Sequence, residues 1–171
     1  MSPVVSMLRR IPGGARGAGY IPWERFRLHY ELHGPEDGET ILLIHGLLLD
    51  ANCNRDLALA LAEQGYRVVL LDLLGHGLSS RPRHAKWLRI DLFAEQMCAC
   101  LDALAIRQAI VGGVSLGAIS ALQFAVRYPE RVQALVLEMP VMERATPAAA
   151  LMLVPLLGAT RFAAPLIRGM A

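Results

Sequence analysis

The stretch VGGVSLGAISALQFA, residues 111–125, sets a serine between two glycines where an apolar strand pattern gives way to an apolar-striped helix pattern. QAIVGGV (108–114) reads as a short buried strand, and LGAISALQFAVRYPE after it reads as a helix. A serine becomes useful as a nucleophile when a sharp strand-to-helix turn presents its hydroxyl, free of neighbours, at the carboxyl end of the strand. Gly113 and Gly117, two positions to either side of Ser115, remove the side chains that would collide in so tight a reversal. Leu116 then offers its backbone N–H from the first helical turn, where such groups have no intrahelical partner. G-x-S-x-G alone is a weak signal, because a serine capping a helix looks similar. The strand before it and the helix after it supply the context that the motif requires.

Working outward, RFRLHYELHG alternates from Phe26 through Leu28, Tyr30 and Leu32, the period of a half-buried strand, and GPEDGE then makes a turn. TILLIHG (40–46) and YRVVLLD (66–72) are almost continuously apolar, as strands covered on both faces are. Between them NRDLALALAEQG predicts a helix capped by Asn54 and ended by Gly65. LGHGLSSRPRH is a loop, residues 88–106 read as a helix too apolar to be exposed, and VQALVLEMP (132–140) is a further apolar strand. Strands alternating with helices in this way predict an α/β fold, with a mostly parallel sheet and helices on both faces.

Two further strand ends join the serine. IHGLLLD places His45 and Gly46 after the 40–44 strand, so the Leu47 N–H can face the same crevice as a second donor for an oxyanion. DLLGHGLSS ends the next strand on Asp72, with Gly75 and Gly77 keeping the loop tight. His45 beside a glycine reads mainly as a residue that orders its loop through ring hydrogen bonds.

Composition excludes several classes. With 54% hydrophobic and 19% charged residues in 171, the chain can bury the core of one domain. Its net charge of +2 comes from mixed basic and acidic residues, and RPRHAKWLR (81–89) reads as a solvated loop, so no nucleic-acid partner is expected. Cys53, Cys98 and Cys100 form an odd set without a metal-type pair, read as small apolar fillers in a reducing, cytoplasmic setting. No metal or cofactor signature is present: GGVSLG lacks the G-x-G-x-x-G spacing of dinucleotide sites. The apolar stretch 145–167 carries three prolines and Arg161, so no transmembrane segment is expected.

From about Phe26 to Pro140 the chain resembles the amino-terminal half of an α/β-hydrolase. LLIHG resembles the oxyanion loop, YRVVLLDLLGHGLSS the D-x-x-G-x-G-x-S segment, VGGVSLGAISAL the nucleophile elbow and YPERVQALVLEMP the following strand. The resemblance implies Ser115 as nucleophile, Leu47 and Leu116 as oxyanion N–H donors, no cofactor, and a small acyl or ester substrate. It divides the chain into an amino-terminal extension (1–20), a hydrolase core (21–142) and the start of an apolar cap or lid (143–171). Epoxide hydrolases and dehalogenases share the scaffold but attack with aspartate, against which Ser115 argues.

The sequence departs from the family pattern in one chemical respect. The five histidines are His29, His33, His45, His76 and His84, and none follows Ser115, where the family places its base. Glu138 is a candidate acid or pocket residue. Two expectations stay open: a serine hydrolase whose sequence stops before the last two strands, or a catalytically inactive relative that binds a small apolar ligand or a partner. Oligomeric state is not legible.

Overall fold

The chain divides after Pro140, and this computed structural model describes residues 15–140. The cap assignment, 143–171, lies outside the described residues. Six strands form one sheet in the order β1-β2-β4-β3-β5-β6. They are β1 (Ala15–Trp23), β2 (Phe26–His33), β3 (Thr40–Ile44), β4 (Arg67–Leu71), β5 (Ala109–Val114) and β6 (Val132–Glu138). Three helices cross between them: α1 (Arg55–Glu63), α2 (Ile90–Ala103) and α3 (Leu116–Arg127). The pairs β4-β3, β3-β5 and β5-β6 are parallel, and β1 and β2 add an antiparallel hairpin at one edge.

Side-chain alternation explains why helices lie on both faces. Leu42 and Ile44 of β3 and Val69 and Leu71 of β4 pack with Phe93, Met97 and Leu101 of α2 and Phe124 of α3. Their neighbours Ile41, Leu43, Val68 and Leu70 point the other way, toward Ala58 and Leu61 of α1. All of β3 is buried, so its apolar run answers to two layers at once. Each leucine fully removed from water there contributes about 1.5–3 kcal/mol.

The structure departs from the sequence reading in three places. β1 runs across the expected boundary at residue 20, formed from a glycine- and alanine-rich segment with little strand propensity of its own. Its buried Ile21 and Trp23 hold it, a Cβ on Gly19 would lie 2.9 Å from the Tyr30 hydroxyl, and Pro22 is tolerated because β1 is an edge. β2 is not half-solvated: His29, Glu31 and His33 on its polar face are buried as well. Asn54 makes no side-chain cap for α1; Asp50 caps the short 3₁₀ turn before it, accepting from the Asn52 N–H.

Candidate active site

Ser115 joins β5 to α3 with φ 53° and ψ −109°. A left-handed φ costs a residue with a side chain about 1–2 kcal/mol, so the surrounding structure must hold it there. Two close approaches do so. A Cβ on Gly113 would overlap the Gly117 carbonyl group, which is what lets the chain reverse. A Cβ on Gly117 would overlap the Ile44 carbonyl oxygen, so this glycine answers to the neighbouring strand β3 and not to the reversal itself. The Ser115 N–H donates to the Glu138 carbonyl at 2.9 Å, and its own carbonyl accepts from the Ile119 N–H at 3.1 Å. Its side chain makes no capping hydrogen bond.

The turn after β3 lies against this elbow. A Cβ on Gly46 would stand 3.7 Å from the Ser115 Cβ and 3.5 Å from the Val114 carbonyl oxygen. The turn is closed by the Leu49 N–H donating to the Gly46 carbonyl at 3.2 Å, with Leu48 left-handed at φ 62°. Leu47 is 53% exposed, and no described residue accepts from its N–H. Leu116, at the first position of α3, likewise has no intrahelical acceptor. A third left-handed residue, Met139 at φ 46°, follows β6. Strained residues thus follow β3, β5 and β6, all at the same end of the parallel strands, and such strain gathers at functional sites.

His45 is fully buried. Its Nδ1 lies 2.8 Å from the Gly46 carbonyl oxygen, and the Leu73 N–H donates to its Nε2 at 3.1 Å. A carbonyl can only accept and an amide N–H can only donate, so Nδ1 carries the proton and Nε2 the lone pair. Burial pushes its pKa below the ordinary histidine value. Both ring nitrogens are spent bracing the turn.

Asp72 braces the same turn from the far side. Its Oδ1 accepts from the Ala51 N–H at 2.7 Å, and its Oδ2 accepts from His29 Nδ1 at 2.9 Å and the Leu78 N–H at 3.0 Å. Burial works to raise its pKa, but these donors prevail and hold the carboxyl below the usual carboxylate range. Gly77 is required here: a Cβ would overlap the Asp72 carboxylate, and φ is 46°. Gly75 is also left-handed, at φ 87°. Beside Asp72, Arg55 forks onto Glu31 at 2.6 and 3.1 Å and His33 adds a contact at 3.3 Å. Burial opposes ionisation of Glu31, yet these partners hold its carboxyl down to about 2.

A family model for the α/β-hydrolase fold matches residues 39–163. The chain belongs to the α/β-hydrolase family. It is 39% identical over 62% of its length to 38% of the 2-hydroxymuconate semialdehyde hydrolase of Pseudomonas sp. (strain CF600). It is 33% identical over 68% of its length to 29% of epoxide hydrolase 1 of Caenorhabditis elegans. Among solved structures, the thioesterase domain from the curacin biosynthetic pathway superposes with a TM-score of 0.68 and 28% identity, covering 73% of this chain and 46% of that one. The chain spans about two fifths or less of the length of these curated relatives.

The fold therefore gathers Ser115, Gly46, Gly113, Gly117 and the Glu138 backbone at one point. Glu138 contributes its carbonyl, while its side chain is exposed. Asp72, Gly75 and Gly77 line a cavity that Ser115 does not reach. His29, Glu31, Arg55 and Ser79, whose Oγ accepts from the His29 N–H at 2.8 Å and donates to the Asp72 carbonyl at 2.6 Å, escaped the sequence reading. The signal was the polar alternation of His29, Glu31 and His33 on a strand flanked by apolar ones. Cys53 is exposed and so is no apolar filler, whereas buried Cys100 is pushed up to about 12 by desolvation and stays a thiol. Among the described residues no helix is long and apolar enough to cross a membrane.

Proposed function

We propose that the chain is the nucleophile-bearing part of a serine hydrolase acting on an ester or similar acyl compound. Ser115 Oγ adds to the acyl carbon as its proton passes to a base that the described histidines do not supply, and the Leu47 and Leu116 N–H groups receive the charge on the carbonyl oxygen. Collapse expels the protonated alcohol and leaves an acyl-serine, which water then cleaves to the acid and free Ser115. The observation that carries this reading is the left-handed Ser115 at the β5–α3 junction, with Gly46 against it. The thioesterase neighbour supports acyl chemistry. The segment from 143 is read as a cap that selects the substrate, its apolar content favouring a lipid-like acyl group. The three free cysteines suit a reducing, cytoplasmic setting.

The test is titration with an alkylboronic acid in the presence of imidazole, which takes the serine proton as the tetrahedral adduct forms on Ser115 Oγ. Saturable shifts of the Leu47 and Leu116 amide resonances, lost in Ser115→Ala, are expected. Saturation that survives Ser115→Ala places the donors elsewhere.

A second reading, an inactive relative that binds a small apolar ligand or a partner, is favoured by the histidines. Both nitrogens of His45 are committed, His29 Nδ1 is held by Asp72, and His76 Nδ1 lies 3.2 Å from the Leu74 carbonyl oxygen. A serine hydroxyl without a base loses about 10⁴-fold or more in turnover.

A further inference from the structure

On the far side of the β3 turn lies a cavity of about 560 Å³, lined by residues of β2, the β3 turn, α1 and the loop after β4. Small-molecule sites commonly enclose about 300–1,000 Å³. Its floor consists of polar side chains that have left water: His29, Glu31 and Asp72 are 5%, 3% and 2% exposed. Asp50, Asn52, Arg55 and Arg81 surround them, and the exposed Leu48, Leu49 and Leu78 add an apolar wall.

The lining holds the carboxylates of Glu31, Asp50 and Asp72 and the guanidinium groups of Arg55 and Arg81, an excess of one negative charge with the histidines neutral. Glu31 is taken by Arg55, and Asp72 accepts from His29 Nδ1 and two backbone N–H groups. That excess disfavours an anion, and a cation meets floor carboxylates already engaged by donors while still losing its hydration. What remains is hydrogen-bonding capacity of both kinds, closely spaced. His29 Nδ1 faces the Asp72 carboxylate and carries the proton, so Nε2 is an acceptor, and it has no partner among the described residues. Arg55 Nη1 and the Arg81 guanidinium are donors, and the Asn52 side-chain amide offers both functions. Acceptors and donors interleaved beside an apolar wall match adjacent hydroxyls on a compact carbon skeleton.

We infer that this cavity binds a small, neutral, polyhydroxylated molecule of the size and chemistry of a monosaccharide or cyclitol, with His29 accepting from one hydroxyl and Arg55, Asn52 and Arg81 bonding its neighbours. The site does not depend on the chemistry of Ser115, which lies outside its lining.

The experiment is a titration of the isotope-labelled protein with methyl β-D-glucopyranoside and with myo-inositol, read from backbone amide shifts. Inorganic phosphate, n-butylamine and cyclohexanol serve as anionic, cationic and apolar probes. Saturable shifts centred on Ala51, Asn52 and Leu78 are expected with at least one polyol. Asn52→Ala and Arg81→Ala, both at exposed positions, should each weaken that binding about fivefold, equal to about 1 kcal/mol for one hydrogen bond. Saturation by phosphate, butylamine or cyclohexanol in place of the polyols, unchanged affinity in both variants, or no saturable response to either polyol overturns the inference.

Discussion

The elbow at Ser115 and the loop after β4 both follow parallel strands at the same end of the sheet, yet different forces make them. At the elbow, backbone presses on backbone: Gly113 against Gly117 and Gly117 against Ile44. After β4, side chains tie distant segments together, with Asp72 reaching His29 on β2, Ala51 before α1 and Leu78 in its own loop. Steric requirements leave glycines at fixed spacing and are indifferent to pH. A hydrogen-bonded brace leaves no local pattern and depends on charge.

The largest effect should come from adding a methyl group at the elbow. Gly113→Ala and Gly117→Ala each force backbone atoms apart and should cost about 4 kcal/mol or more, enough to abolish folding of a marginally stable domain. Circular dichroism and urea unfolding check this. A folded, stable Gly113→Ala would break the steric account of the elbow. Gly65 sharpens the contrast: it is left-handed at φ 89° with open space around it, so Gly65→Ala should cost only about 1 kcal/mol.

In the braced loop, Asp72→Ala removes the partner of His29 and leaves the Ala51 and Leu78 N–H groups without their acceptor. Loss of one member of a buried pair costs about 3–5 kcal/mol, and urea midpoints measure it. A loss below about 1 kcal/mol would mean that the loop, too, is held by sterics.

The comparison explains what the sequence made legible. Ser115, Gly113 and Gly117 announce themselves because a local reversal needs small residues at local spacing. The parallel order of β3 to β6 follows from apolar runs alternating with helical stripes. His29 and Glu31 were invisible as site residues because their partners, Asp72 and Arg55, are 43 and 24 positions away. β1 was missed for a related reason. Its propensity is poor, and it exists because β2 offers Leu28 and His29 as pairing partners for Ile21 and Tyr20.

A smaller effect separates the two regions by pH. The Glu31 carboxyl is held at about 2 in the fold against an ordinary value of 4.5. As pH falls, the unfolded chain takes up this proton first, so the stabilisation is fully present above about 4.5 and is lost as the pH drops toward about 2. Stability measured across that window should fall more steeply in the wild type than in Glu31→Gln. Equal slopes would remove Glu31 from the brace.

The most direct test of the account is covalent labelling of Ser115 by a fluorophosphonate, read by mass spectrometry on chain shown to be folded by circular dichroism, with and without added imidazole. On the proposed reading Ser115 is a nucleophile facing the Leu47 and Leu116 N–H groups. With both His45 nitrogens, His29 Nδ1 and His76 Nδ1 already engaged, it should label slowly alone and much faster once imidazole supplies the base. Ser115→Ala should abolish the adduct. Rapid stoichiometric labelling without imidazole would show that the chain already holds a base, and no adduct at Ser115 in either condition would show that the elbow does not present a nucleophile.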